Sequence, residues 1–241
     1  MRIRFGFRWI PLYATIAVVT IGILLGNWQL RRADEKRAIE TRMTQRQALP
    51  PLAVGTKKED PAEIEYRHVS VQGEFDGAWP VYLDNRPQAG SPGFYVLMPF
   101  KIAGSQTQVL VQRGWVALDP HHRSAITLPP LPAGPVDLQG IAVRNPGHVM
   151  QLGEATPLTP GAIVQNVTVE EFATAAKRDM QPFVIEQTSV SQDGLVRDWP
   201  LPSAGIDRHL GYAFQWYGLA ATAFLFFVVT GFRHGARAAR K

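Results

Sequence analysis

Two charge-free runs, one near each end, decide what this chain can become. Leu210 to Phe232 is 23 residues without Asp, Glu, Lys or Arg, and Gln215 is its one strongly polar side chain. At about 1.5 Å per residue this makes roughly 35 Å of helix, enough to cross a hydrocarbon core of about 30 Å with some tilt. The other run, Ile10–Gly26, lies between Trp9 and Trp28, where interfacial aromatics are expected. Arg2, Arg4 and Arg8 before it resemble the start of a cleaved leader. No small-x-small cleavage site follows, however, and the run passes into Gln29-Leu30-Arg31-Arg32, so it reads as an uncleaved anchor. The expected spans are residues 9–28 and 209–232.

Charge then sets the topology. The pI of 9.7 is compatible with nucleic-acid binding until the charges are placed. Residues 1–30 hold three Arg and residues 233–241 hold three Arg and one Lys, with no acid in either segment. Residues 31–208 hold 18 Lys/Arg against 20 Asp/Glu, so the region between the spans is near neutral and offers no basic stripe. No nucleic-acid partner is expected. Positive tails stay inside, which places residues 1–8 and 233–241 in the cytoplasm and residues 29–208 outside.

Between the spans the pattern is that of one ordinary core. Residues 29–48 are charged helix formers that extend the first helix, and Leu49-Pro50-Pro51-Leu52 stops it. Residues 53–64 read as loop or extended chain. From Tyr66 the period changes to two, with strands expected near 69–75, 79–83, 94–102, 108–118 and 136–143 and weaker ones at 162–166 and 182–187. Thr168 and Glu171 form the capping box of a short helix reaching Arg178. The fold class is therefore an α+β membrane protein, with two transmembrane helices flanking one β-rich exported domain.

Chemistry-bearing motifs are few. The chain has no cysteine, which excludes disulfides, thiolate metal sites and covalent haem attachment. It has no H-E-x-x-H, P-loop, G-x-G-x-x-G or G-x-S-x-G. The residues therefore give no support to an enzyme, although a membrane-anchored periplasmic enzyme is the alternative kept open. His209, Tyr212 and Trp216 fall at i, i+3 and i+7 on the second span. Two readings remain for them: an interfacial anchor, or an imidazole ligand for iron with aromatics beside a porphyrin. Arg113-Gly114-Trp115 and Asn85-Arg86 read as structural strand ends, with the arginine facing a local carboxylate.

Three blocks occur in order across the chain: Leu25-Gly26-Asn27-Trp28-Gln29 with Arg32 and Lys36; Asn85-Arg86, Gly90-x-Pro92-Gly93-Phe94 and Val109 to Val116; and Arg208-His209-Leu210-x-Tyr212-Ala213-x-Gln215-Trp216. Together they resemble the Surfeit-locus family of cytochrome c oxidase assembly factors, bacterial branch. The resemblance implies a non-enzymatic factor of the bacterial inner membrane, with haem a held transiently by His209 as iron ligand. It also implies two partners, the haem-carrying subunit of the oxidase and the enzyme that makes haem a.

Overall fold

The computed structural model describes residues 5–119, 121, 126, 130–151 and 153–238. The ends of both tails, residues 1–4 and 239–241, lie outside this set. The chain divides into two compact units, residues 1–41 with 201–241, and residues 42–200.

The first unit is a pair of helices. Helix α1 (Trp9–Gln47) is 39 residues long and α4 (Ile206–Ala238) is 33. Both are long and apolar enough to cross a membrane. Their large apolar side chains point outward: Ile10 is 84 % and Phe214 80 % exposed, surfaces that lipid rather than water suits. The protein is thus a membrane protein with two candidate spans. Helix α1 continues to Gln47, as the charged stretch after Trp28 predicts.

Small residues form the seam of the pair. Along α1 the buried positions as far as residue 41 are Gly22, Gly26, Gln29 and Ala33, and along α4 they include Ala213 and Ala220. The steps of four, three and four make a heptad-like stripe, and Gly and Ala let two backbones approach closely. A Cβ on Gly26 would lie 2.6 Å from a ring carbon of Tyr217, so a larger residue there would force that ring to shift.

The second unit is built on strands. They are β1 (Leu52–Ala53), β2 (His68–Phe75), β3 (Val81–Leu83), β4 (Gly93–Ile102), β5 (Gln108–Ala117), β6 (Val136–Val143), β7 (Ile163–Val164) and β8 (Met180–Gln187). The sheet order is β1-β2-β6-β8-β5-β4-β3-β7, and β2 also pairs with β4. That extra pairing closes β2, β6, β8, β5 and β4 into a barrel. The region expected to be loop or extended chain begins with the end of edge strand β1 and also carries a short helix α2 (Pro61–Ile64), whose N-cap is Asp60. The helix is only four residues long and opens on a proline, too short for a periodic signal. Expected strand ends are trimmed by one or two residues in β3, β5 and β7.

The barrel interior is filled by Val69, Val71, Phe100, Val109, Val111 and Phe183 among others, with every barrel strand contributing. A second apolar layer covers the outside of β3, β4, β5 and β8 beneath helix α3 (Val169–Ala176), with Phe172 at its centre. Strands β4 and β5 are buried on both faces, which is why they read as near-continuous apolar runs, whereas β2 alternates. Thr168 caps α3 as expected: its hydroxyl accepts from Glu171 N at 3.1 Å and the Glu171 carboxylate accepts from Thr168 N at 2.7 Å.

Candidate functional site in the helix pair

Where the two helices meet near Trp28, the polar end of the first charge-free run faces the start of the second. His209 lies in the first turn of α4 and is half-buried. Its Nδ1 is 2.7 Å from Oε1 of Gln29, itself 8 % exposed. A carbonyl oxygen only accepts, so with the amide in this orientation Nδ1 carries the hydrogen. In that tautomer Nε2 is the ring nitrogen with the lone pair. A hydrogen bond to one ring nitrogen is how metal-binding histidines are commonly oriented. Two turns further along α4, the Tyr217 hydroxyl donates to Asn27 Oδ1 at 2.7 Å. Both α1 partners follow Gly26, and Tyr217 is also the residue whose ring Gly26 faces.

The three sequence candidates have different surroundings. His209 is at the seam. Trp216 is half-buried and lines an apolar hollow of about 440 Å³ with Val18, Ile21, Gly22, Leu219 and Phe226. Tyr212 is 46 % exposed, on the flank of α4. The seam advances every 3.5 residues, through 209, 213, 216 and 220, and this rotates position 212 away from it. Among the described residues no group of three His, Cys, Asp or Glu could hold a bare metal ion. One imidazole fits haem iron, which brings four ring nitrogens of its own. Gln29 and Asn27 were not singled out as site residues from the sequence; their signal was a pair of amides at the boundary of an apolar span, where polar groups find partners.

The family model for the SURF1 family matches residues 16–221. The chain belongs to the SURF1 family. Similar members include a SURF1-like protein of Monosiga brevicollis, 26 % identical and covering 97 % of this chain and 92 % of its own length. Another, from Rickettsia bellii, is 25 % identical and covers 83 % of this chain and 82 % of its own. The cytochrome oxidase assembly protein SHY1 of Saccharomyces cerevisiae is 30 % identical over 105 residues, 42 % of this chain and 26 % of the yeast protein. The match to the family model takes in the helix seam and the whole barrel.

The middle block builds a buried polar core in the second unit. At the β4–β5 bulge Val96 pairs with Gly114 and Leu97 with Gln112, which leaves Arg113 as the extra residue. Arg113 is 1 % exposed; its Nη2 donates to Asp193 Oδ2 at 3.0 Å and its guanidinium lies 4.6 Å from the Phe75 ring centre. Arg197 donates to the same carboxylate oxygen at 2.5 Å. The local carboxylate expected for Arg113 is therefore Asp193, shared between two arginines. Arg86 differs: its Nη2 donates to backbone carbonyls of Gly147 and Gln165, while its own carbonyl accepts from Trp115 Nε1 at 2.6 Å.

Glu186 on β8 stands without such help. It lies between Gln112 of β5 and Ile141 of β6 in register. Burial pushes its carboxyl up from 4.5 to about 7, and no hydrogen bond or ion pair reaches it among the described residues. In the unfolded chain it ionises near the usual value, so the fold retains a proton that the unfolded state gives up. Its contribution to stability is full below about pH 4.5 and is lost as pH rises to about 7. Glu186→Gln is expected to raise stability by about 1–2 kcal/mol at pH about 8 and to change little at pH about 4. Denaturant titrations at the two pH values measure this, and an equal effect at both would refute it.

Proposed function

We propose that this protein is an assembly factor for haem–copper cytochrome c oxidase that holds haem a at His209 and assists its delivery to the subunit that carries it. The Gln29–His209 bond carries the reading, because it fixes the ring so that Nε2 is the free donor. Kinship with a yeast protein named as a cytochrome oxidase assembly protein supports the pathway. Haem a, when bound, supplies the iron and the redox-active ring; the chain supplies an oriented imidazole at the end of a membrane span. No chemical step is assigned to the protein itself. A single protein ligand suits a carrier that must release its cargo. In this reading the acid-free tails are cytoplasmic, the β unit is periplasmic, and the membrane is the bacterial inner membrane.

Expression beside haem a synthesis, followed by purification and absorption spectroscopy, tests this. His209→Ala should lose the haem a spectrum while still inserting in the membrane. Gln29→Leu should keep the ligand but free its orientation, weakening haem retention by about 10–100-fold. Undiminished haem a with an unshifted Soret band in the His209→Ala protein would remove the ligand assignment.

A further inference from the structure

At the opposite end of the helix pair, the N-terminus of α1 and the last turns of α4 enclose a hollow of about 300 Å³. Arg8, Arg233, His234 and Arg237 line it, with Pro11 and Phe227 on its apolar side. Gly6 N donates to Gly231 O at 2.9 Å, which ties the segment before α1 to α4 and sets Arg8 opposite the other cations. We propose that this hollow is a binding site for the phosphate headgroup of an anionic phospholipid.

Three observations converge on an anion. Neither segment that builds the hollow contains Asp or Glu, and no ion pair involves its arginines among the described residues. Arg8 sits at the N-terminus of α1, whose first turn has no acidic residue. A helix start presents unbonded N–H groups and partial positive charge, so a cation there is unfavourable until an anion joins it. Basic tails alone would satisfy the orientation rule for membrane proteins, but that rule requires charge and not a concavity.

The apolar side decides the class of anion. Pro11 and Phe227 belong to the spans, so a molecule whose phosphate reaches the arginines lays its acyl chains along them. Arginine forks hold phosphate oxygens in pairs, and basic pockets between spans suit anionic headgroups. A free phosphate would gain the charge but leave the apolar wall unused. The site is at the far end of the pair from His209, and nothing in it depends on haem.

Native mass spectrometry of the full-length protein in detergent, with equal amounts of dioleoyl phosphatidylglycerol and dioleoyl phosphatidylcholine, tests the proposal. The wild-type protein should retain phosphatidylglycerol at least about tenfold over phosphatidylcholine. Arg8→Gln/Arg233→Gln/Arg237→Gln should lose the preference, and Arg31→Gln/Arg32→Gln, beyond the other end of the span, should keep it. If the glutamine variant does not insert, the corresponding lysine triple keeps the tail charge but loses the forks, and its preference should fall several-fold. No preference in the wild type, a preference untouched in the glutamine and lysine triples, or equal loss in Arg31→Gln/Arg32→Gln overturns the proposal. So does displacement of the lipid by an equal concentration of inorganic phosphate, which would mark a free-phosphate site.

Discussion

Gly73→Val is expected to leave the β unit unfolded. Gly73 is the residue at which β2 changes partner: it is in register with Val136 of β6 and also with Ile102 of β4. A Cβ there would be driven into the carbonyl oxygen of Lys101 and would lie 2.8 Å from the Phe100 ring. Backbone cannot step aside without breaking the β2–β4 ladder that closes the barrel. The loss should exceed about 4 kcal/mol, a large part of the whole stability of a domain. Gly55→Val is the matched control, since a Cβ at Gly55 meets nothing within 4 Å. Circular dichroism and thermal unfolding of both variants give the answer. A Gly73→Val protein that melts within a few degrees of wild type would show that the barrel is closed otherwise.

Asp193→Ala comes second in size. The carboxylate is the shared partner of Arg113 and Arg197, with side-chain exposures of 4 %, 1 % and 10 % respectively. Removing it leaves two buried guanidinium groups facing each other, at a cost of about 3–5 kcal/mol. Burial opposes ionisation of Asp193, yet the hydrogen bond and charge of Arg197, the Leu195 N–H and the charge of Arg113 outweigh it and hold its pKa below the usual carboxylate value. A depressed pKa stabilises the fold above the unfolded value, and this is lost as pH falls through the folded one. Wild-type stability should therefore fall below about pH 4, and Asp193→Asn should start lower and fall less. Urea titrations across that range measure both; parallel curves would contradict the linkage.

The residues that announced themselves in the sequence were those whose signal is local. Absence of charge marked both helices, alternation marked β2, and Thr168 with Glu171 marked the start of α3. Barrel closure was not visible because it rests on one glycine and on strands far apart in the chain. The Arg113 partner was foreseen as a carboxylate but not as Asp193, because 80 residues separate them. The Gln29–His209 bond spans 180 residues and joins the first and third sequence blocks, whose separation leaves no local signal. Helical spacing places Tyr212 one turn from His209 on α4, while the seam between the two helices follows the period of the pair.

Strand β8 has a consequence for the order in which the protein can be made. It lies between β5 and β6, and only after residue 187 exists does either of those strands gain its second neighbour. Until then the nascent sheet carries two open edges, the condition that invites pairing with other chains. Helix α4 begins at Ile206, so little chain separates the closing strand from the second span. The β unit is therefore completed almost last, and a chain truncated before β8 would be an aggregation hazard rather than a smaller working domain.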